Sequence, residues 1–387
     1  MRNIAVVTGT RAEYGLLKPL LYAIKETEGF KLQLLVTGMH LMSEFGSTYQ
    51  QIEKDGFEID AKVEDGLEGD DALAISSAVG RAVIGFAEAY NRLEPNLIVV
   101  LGDRSEILAA VTAAIIANIP VAHIHGGETT EGAYDEFIRH AITKMSHLHF
   151  ASCEIYRKRI IQLGENPTTV FNVGAIGIDS IKKLELLSID EFEKAINYKL
   201  NKTNVLITFH PVTLEDDTAE YQFQELIDAL DILSEVTLIF TKPNSDKGGA
   251  SIVKIIDNYV TRNPNKAISF NSLGQLRYLS ALQYVDFVIG NSSSGILEVP
   301  IFKKPTINIG DRQKGREMTK SIINCKPNKK DIFQAIQKAL SAQFNIEIQN
   351  QSNPYGNGTA TNQIMDVLVR SHLKNTKKSF YDLYNEL

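Results

Sequence analysis

Short apolar runs alternate with amphipathic stretches along most of the chain. In the first half, the apolar runs predict strands at 4–8, 32–37, 97–101, 121–124, 147–151 and 169–173. The stretches between them predict helices near 15–27, 71–92, 105–117, 135–145 and 153–163. This spacing is typical of successive right-handed βαβ units, so we expect a doubly wound domain with a parallel sheet.

A second series of the same kind follows a segment without any strand pattern, 178–203. Its predicted strands are 205–209, 237–241, 267–270, 287–290, 306–309 and 321–324. A chain of 387 residues also exceeds the usual size of one hydrophobic core. We therefore expect the α/β fold class, with two doubly wound Rossmann-like domains that face a central cleft. The expected domains are 1–177 and 178–359, with a hinge near Gly177, and a C-terminal helix within 360–387 is expected to join the first domain.

Composition narrows the class of protein. With 44% hydrophobic and 22% charged residues and no apolar run of membrane-spanning length, the chain reads as globular, and we expect no membrane partner. Its net charge of −7 argues against a nucleic-acid partner. Met1 leads directly into a strand rather than an export signal, and Cys153 and Cys325 form no disulfide or metal pattern. These features predict a cytoplasmic protein.

The most informative motif is the small-residue loop 290–295, Gly-Asn-Ser-Ser-Ser-Gly, which follows an apolar run and precedes a helical pattern. Small residues at a helix start leave backbone N–H groups aimed at one point, beside hydroxyls and the positive end of the helix dipole. We expect a diphosphate to bind there, with these contacts: Gly290, Ser292, Ser293, Ser294 and Gly295. Glu298, about one turn into the helix, is placed to accept ribose hydroxyls. The alternative is an ordinary serine-rich N-cap.

Polar, glycine-marked loops follow nearly every other predicted strand. Because ligands of open parallel sheets bind beyond the carboxyl ends of the strands, these loops are the expected ligand contacts. Three further candidate ligand contacts in these loops are His40, Asn244 and Arg312. For Arg312 the alternative is a role in packing or in surface charge. The dinucleotide fingerprint G-x-G-x-x-G and the P-loop are absent from the sequence, which argues against dehydrogenases and NTPases.

Several side chains in these loops suit acid–base or phosphate chemistry. Arg11 could fork onto a phosphate or pair with Glu13. Asp103 is carried to the mouth of the sheet by an apolar strand and a glycine. Asp135 and Glu136 both fall in the first turn of a helix, where one could cap the helix, and we favour Asp135 for the reaction.

The histidines divide into different environments. His123 and His125 alternate at a strand exit, so only one of them is expected to reach a ligand. Two histidines at this spacing are weak evidence for a metal, and we expect neither metal nor cofactor. His147 and His149 are interpreted as structural. His210 ends a strand and precedes a proline that fixes the backbone, which suits a donor to diphosphate.

Taken together, these motifs resemble the hydrolysing UDP-N-acetylglucosamine 2-epimerases, which begin sialic and legionaminic acid biosynthesis. The resemblance runs from Asn3 to about residue 340 and is carried by segments 9–15, 38–41, 102–104, 123–128, 139–144, 210–213, 290–298 and 310–313. It implies the GT-B architecture, a nucleotide-sugar substrate, UDP as a product, no cofactor, and a homodimer or homotetramer.

The resemblance also implies roles for individual residues. Ser292 and Ser293 match diphosphate contacts, and Glu298 matches the ribose contact. Arg11 and His210 match residues that grip the diphosphate near the departing bond.

The catalytic positions match in part. Asp103 and Asp135 match acidic positions assigned to catalysis in the family. Some members carry a catalytic glutamate where this chain has His125, so the third acid–base role is open to His125 or Glu128.

The implied reaction eliminates UDP to form a glycal and then hydrates the glycal to the free 2-epimeric sugar. Alternatives are a non-hydrolysing 2-epimerase, a GT-B glycosyltransferase and a nucleotide-sugar sensor. The segment 212–215, Val-Thr-Leu-Glu, lacks the basic residues usual in non-hydrolysing enzymes, which favours hydrolysis. The motifs leave open whether the sugar is N-acetylglucosamine or a diacetamido-trideoxy relative, and whether the nucleotide is UDP or GDP.

Overall fold

The computed structural model describes residues 1–67, 69, 71–129, 135–211, 219–243, 249–371 and 376–383. The chain divides into two compact units, one formed by Met1–Ser180 with Tyr355–Leu387 and the other by Ile181–Pro354. Each unit contains a parallel β-sheet with helices in the connections between strands. The expected α/β class with two Rossmann-like domains is therefore confirmed.

The first unit is built on a seven-stranded sheet in the order β3-β2-β1-β4-β5-β6-β7. Its strands are β1 Arg2–Thr8, β2 Phe30–Thr37, β3 Ala61–Val63, β4 Leu97–Leu101, β5 Val121–Ile124, β6 Leu148–Ala151 and β7 Val170–Asn172. Six of them lie at predicted positions. The sequence analysis missed β3, because three residues at the edge of a sheet are too few to show a periodic pattern.

Helices cover both faces of this sheet. They are α1 Arg11–Glu26, α2 Tyr49–Lys54, α3 Ala72–Leu93, α4 Ser105–Ile116, α5 Asp135–Met145, α6 Glu154–Gln162 and α7 Gly177–Lys183, with the late helix Ala360–Arg370. Short 3₁₀ turns occupy Gly38–His40, Ser43–Phe45 and Pro167–Thr169. The first helix begins earlier than predicted, since Thr10 and Glu13 form a capping box at its start.

Helix α3 requires a correction to the sequence analysis. It has 22 residues, and an 18-residue window within it has a mean hydropathy of 1.4, so by length and composition alone it could cross a membrane. The expectation that no apolar run reaches that length was therefore wrong for this segment. The helix packs on α4 and buries Ala82, Phe86 and Tyr90 in the core of the unit. Only 22% of that window is buried, and a single helix of this kind is weak evidence for a membrane segment.

The second unit has a six-stranded sheet in the order β10-β9-β8-β11-β12-β13. Its strands are β8 Thr203–Thr208, β9 Val236–Thr241, β10 Ala267–Phe270, β11 Phe287–Gly290, β12 Thr306–Ile309 and β13 Ile322–Cys325. Its helices are α8 Ile189–Ile196, α9 Ala219–Leu230, α10 Gly249–Arg262, α11 Gly274–Tyr284, α12 Ser294–Leu297, α13 Lys329–Leu340 and α14 Ala342–Gln349, with a 3₁₀ turn at Val299–Phe302. All six predicted strands are present.

The chain returns to the first unit after α14. Helix α15, Ala360–Arg370, places Ile364 and Leu368 in the core of the first unit, and the Asp179 carboxylate caps its first turn by accepting from two backbone N–H groups. The helix expected within 360–387 ends at Arg370, and the described segment 376–383 is not helical.

That last segment is fixed to the first unit by a buried ionic cluster. The Glu165 carboxylate is 2% exposed and accepts hydrogen bonds from His149 at 2.9 Å, Lys144 at 2.8 Å and Lys378 at 2.7 Å. Burial alone would raise the pKa of Glu165, but these three donors lower it to about 2. The Phe380 ring also packs against Gly164. His149 thus has the structural role expected from the sequence.

Candidate active site

In each sheet, the order of strands reverses at one point, between β1 and β4 in the first unit and between β8 and β11 in the second. Ligands of open parallel sheets bind outside the carboxyl ends of the strands at such a reversal. The predicted loops that follow β1 and β4 lie at the first of these points, and those that follow β8 and β11 lie at the second. Each unit therefore carries its own cluster of candidate residues.

The first cluster surrounds a cavity of about 430 Å³, a size suited to a small ligand. The loops after β1, β4 and β5 and the start of α5 contribute its walls. Charged and polar side chains dominate the lining, which includes Thr10, Glu13, Asp103, Arg104, Ser105, His125, Glu128, Asp135 and Arg139.

Asp103 is held in this cavity by Arg139. The guanidinium Nη2 of Arg139 donates a hydrogen bond to Asp103 Oδ2. The Asp103 side chain is 20% exposed and the Arg139 side chain 7% exposed. Burial raises the pKa of the Asp103 carboxyl above its ordinary value, while Arg139 opposes that rise. The result is an ionisable carboxylate with raised basicity inside the cavity, which is what a general base requires.

The two acids at the start of α5 have different partners, and only Glu136 pairs with Arg139. Glu136 lies 3.5 Å from Arg139 and accepts from His140 at 3.0 Å. Asp135 instead lines the cavity. Of the two residues that the sequence left as alternatives, Asp135 is thus the one in contact with the candidate site.

His123, within β5, and His125, directly after it, have different surroundings, as expected. His123 is fully buried, donates to the Gly102 carbonyl at 2.7 Å, and has its pKa lowered to about 3 by burial. His125 lines the cavity with a left-handed backbone at φ 66°. Its Nε2 accepts from the Ile176 N–H at 3.2 Å, so the ring proton of the neutral form sits on Nδ1, 3.3 Å from Glu128.

Glu128 is also bound by Ser152, whose hydroxyl donates to Oε1 at 2.6 Å. The carboxylate is therefore oriented from two sides within the cavity. Both ring nitrogens of His125 are occupied by protein contacts, so Glu128 is the better placed of the two to exchange a proton with a ligand.

Two further buried acids lie close together, Glu13 in the lining of the cavity and Glu106 next to it. Arg104 Nε donates to Glu106 at 2.6 Å, and Glu106 packs beneath Gly9. Glu13 accepts from the Gly9 and Thr10 N–H groups at 2.8 and 3.1 Å. Burial, and secondly the charge of Glu106, raise the pKa of Glu13 to about 7.

Two expectations for the first unit are corrected. Arg11 is an exposed residue in the first turn of α1 rather than a loop residue, and Glu13 is engaged in the helix cap rather than paired with it. His40 is fully buried between Thr8 at 3.2 Å and Thr48 at 2.7 Å, and burial lowers its pKa to about 4. A ring enclosed in this way joins the end of β1 to Thr48 and has no exposed surface for a ligand.

In the second unit, Gly290 lets two strands approach at their ends. Its φ is 144°, and a Cβ at this position would lie 1.9 Å from the Thr208 carbonyl oxygen. Gly295 similarly allows close packing, since its Cβ would be 2.7 Å from Thr306. These glycines shape the loop by the absence of a side chain.

Asn291 joins the loops after β8 and β11. Its side-chain amide exchanges two hydrogen bonds of 2.7 Å with the backbone of His210. Its backbone carbonyl accepts hydrogen bonds from the side chains of Arg312 at 3.0 Å and Gln313 at 2.9 Å. Asn291 thereby holds His210 and Arg312 next to the loop 290–295, which we call the serine loop. Asn244 and the segment 212–215 lie outside the described residues.

The helix after the serine loop is shorter than predicted. Helix α12 is a single turn, Ser294–Leu297, followed by the 3₁₀ turn that contains Pro300. Pro300 lacks an N–H, which ends the α-helical hydrogen bonding. Glu298 lies just after α12, its carboxylate accepts from the Ser294 hydroxyl, and burial raises its pKa. Ser292 and Ser293 remain half-buried in the loop, and no Ser293 side-chain cap is made within the described chain.

The sequence analysis gave no role to several residues that organise these clusters. Arg139 stands four residues after Asp135 on a helix, a spacing that places both on one face and could have identified it. Asn291 was part of the quoted motif. No group of metal-ligating side chains is found among the described residues.

Two parallel sheets, each with polar side chains gathered at its reversal of strand order, define a two-domain Rossmann-like protein of the GT-B-like class. A crystal structure of UDP-GlcNAc 2-epimerase from Neisseria meningitidis bound to UDP-GlcNAc has this fold, with a TM-score of 0.76 and 17% identity over 96% of this chain and 100% of that one.

The amino-acid sequence is more specific. A family model described as UDP-N-acetylglucosamine 2-epimerase matches residues 22–369. The chain is 44% identical over 343 residues to a protein from Campylobacter jejuni named GDP/UDP-N,N′-diacetylbacillosamine 2-epimerase (hydrolyzing), covering 89% of this chain and 88% of that protein. It is 38% identical over 389 residues to a polysialic acid biosynthesis protein from Escherichia coli, covering 100% and 98%. The chain belongs to the UDP-N-acetylglucosamine 2-epimerase family, which confirms the resemblance.

Proposed function

We propose that the chain is a hydrolysing 2-epimerase that converts a nucleoside-diphosphate-linked 2-acetamido sugar into the free 2-epimeric sugar and the nucleoside diphosphate. The observation that carries the proposal is the Asp103–Arg139 pair, which lies with Asp135 and Glu128 in one cavity. The relative from Campylobacter jejuni, named as a hydrolysing enzyme, supports it.

The second unit would bind the nucleotide. The serine loop supplies half-buried hydroxyls and backbone N–H groups for the diphosphate, and Asn291 holds His210 and Arg312 beside that loop. Glu298 would accept hydrogen bonds from the ribose. In this proposal Arg11, exposed at the start of α1, adds a positive charge for the departing diphosphate.

The first unit would carry out the proton transfers. As the bond from C1 to the diphosphate oxygen breaks, the leaving group takes the bonding electrons and the proton at C2 becomes acidic. Asp103 removes that proton, and a C1–C2 double bond forms. Water then adds its oxygen at C1 while C2 receives a proton on the opposite face. The sum is one water consumed and one nucleoside diphosphate released, with no net oxidation.

We assign the second proton transfer to Asp135 or Glu128 rather than to His125. Both nitrogens of the His125 ring already contact Ile176 and Glu128, whereas the two carboxylates line the cavity. Positioned acid–base groups of this kind contribute about 10²–10⁴-fold each to a rate.

The substrate we favour is a UDP- or GDP-linked diacetamido-trideoxy sugar, because the relative at 44% identity is named for one. UDP-N-acetylglucosamine is the second candidate. A role in sialic- or legionaminic-type sugar synthesis, a cytoplasmic location and a homodimeric or homotetrameric state are further parts of the proposal. They are supported by the family resemblance and, for the pathway, by the relative from Escherichia coli.

Incubation of the purified chain with UDP-N-acetylglucosamine, UDP-N,N′-diacetylbacillosamine and GDP-N,N′-diacetylbacillosamine, without any acceptor, tests the reaction. Mass spectrometry should find the free epimeric sugar and the nucleoside diphosphate. In heavy water the product should carry one deuteron at C2, since the original proton leaves during elimination. A product that remains nucleotide-linked would indicate a non-hydrolysing epimerase, and turnover only with an acceptor would indicate a glycosyltransferase.

The Asp103→Asn variant tests the assignment of the base. It keeps the size of the side chain but removes the proton acceptor, so kcat should fall at least about a hundredfold while UDP binding by calorimetry stays near the wild-type value. Full activity of this variant would show that another carboxylate is the base. Protium retained at C2 in heavy water would exclude the elimination mechanism.

A further inference from the structure

A relay of partly buried hydroxyl groups ends on the Glu298 carboxylate in the second unit. Tyr278, in the middle of α11, places its hydroxyl 2.6 Å from Ser294 Oγ. Ser294 in turn donates to Glu298 Oε2. At the other end, the Tyr278 hydroxyl contacts Thr208, the last residue of β8. The mechanism proposed above uses neither Tyr278 nor the Ser294 hydroxyl in this way.

The direction of these hydrogen bonds follows from the supply of protons. A hydroxyl has one proton to donate, and an ionised carboxylate can only accept. Ser294 therefore gives its proton to Glu298 and must accept from Tyr278. Each donor in such a chain polarises the next, which strengthens the bond that reaches the carboxylate.

The relay of hydroxyl groups also determines which oxygen of the Glu298 carboxylate remains available to a ligand. Ser294 binds Oε2, and among the described residues no hydrogen bond is made by Oε1. Burial raises the pKa of Glu298, and the Ser294 hydrogen bond counters that effect. A partly buried carboxylate that is to accept hydrogen bonds from ribose hydroxyls needs both an ionised form and a fixed orientation.

We propose that Tyr278 is a positioning residue for nucleotide recognition, which acts through Ser294 to hold Glu298 ionised and aimed at the ribose hydroxyls. Ser294 is then part of this relay rather than a direct diphosphate contact. The inference rests on the proposed function, because it requires that Glu298 bind the ribose. It deepens that function by naming what makes the second unit select a ribonucleotide.

Two calorimetric titrants, UDP and 2′,3′-dideoxy-UDP, measure this selection. Their affinity ratio reports the ribose contact alone, because both carry the same base and diphosphate. In the Tyr278→Phe variant, which loses only the hydroxyl, the ratio should fall roughly three- to tenfold, the equivalent of one hydrogen bond. Binding of the dideoxy nucleotide should stay within about twofold of wild type.

The matched control is Tyr284→Phe. Tyr284 ends the same helix, and its hydroxyl donates to the Leu187 carbonyl at 2.7 Å, so the substitution also removes one hydroxyl hydrogen bond. This variant should keep the wild-type ratio. A fall of the same size in both variants would mean that helix α11 is merely destabilised, and would overturn the inference.

Glu298→Gln separates positioning from direct contact. If Tyr278 acts only through Glu298, Tyr278→Phe should have no further effect on the ratio in the Glu298→Gln background. A further fall there would show that the tyrosine contacts the ribose itself, and an unchanged ratio in the single Tyr278→Phe variant would show that the relay has no role. Wild-type protein that fails to distinguish the two nucleotides would refute the ribose role of Glu298 in the proposed function, and with it this inference.

Discussion

Replacement of Arg139 should change the pH at which the enzyme works. Arg139 is the cation bound directly to Asp103, and the two side chains are only 7% and 20% exposed. Loss of one opposite charge at this range raises a carboxyl pKa by about 1–3 units, or about 1.4–4 kcal/mol. Burial already raises the pKa of Asp103, so Arg139→Gln adds to an existing shift.

The assay is kcat/KM as a function of pH. A base must be ionised, so activity is lost as the pH falls through its pKa, and a raised pKa moves that loss to higher pH. In Arg139→Gln the acid limb should move up by about 1–3 pH units, with activity recovering towards alkaline pH. Arg139→Lys is the matched control, because it keeps the charge while losing the planar fork, and its acid limb should move less.

Stability must be followed in parallel, since Arg139 also pairs with Glu136. Removal of one partner from a buried ion pair is expected to destabilise the fold by about 3 kcal/mol. A folding defect would reduce activity by the same factor at every pH below the unfolding transition. An acid limb that stays at the wild-type position, with uniformly reduced activity, would refute the proposed action of Arg139 on Asp103.

Two further predictions concern stability. The pKa of Glu13 is raised to about 7 in the fold, so the folded chain retains a proton that the unfolded chain releases near 4.5, and stability is lost as the pH rises between these values. Urea unfolding should therefore show Glu13→Gln gaining up to about 3 kcal/mol over wild type at pH 8 and little at pH 4; an equal difference at both pH values would contradict this. Lys378→Met removes a donor to Glu165, whose depressed pKa gives stability that is present above about 4.5 and lost as the pH falls towards 2. Thermal unfolding at pH 7 should show a loss of about 2 kcal/mol that shrinks in acid, and a wild-type melting curve would contradict the role of the cluster.

Much of the fold could be predicted because long apolar runs of β-branched residues mark buried parallel strands. The pattern fails where an element is short or ends for a local reason. Strand β3 has three residues, and α12 ends after one turn because Pro300 follows. Pro300 and the capping pair Thr10–Glu13 are both visible in the sequence. These helix signals predict the observed end of α12 and the observed start of α1.

The candidate site divides in the same way. Residues such as Asp103 and the serine loop were found because they follow strands, and the topology of a parallel sheet gathers strand ends together. The burial of His40 and the relay from Tyr278 depend on contacts between residues distant in sequence. No local spacing encodes such contacts, so a histidine in a polar loop was mistaken for a ligand contact.

The interruption of the first unit by the second has a consequence for the growing polypeptide. A ribosome releases residues in order, and domains usually fold from the N-terminus onward as they emerge. Here the second unit is continuous, Ile181–Pro354, while the first needs α15 to cover its core with Ile364 and Leu368. The half that is synthesised first is therefore the half completed last, and its apolar surface stays open until almost the whole chain has been made.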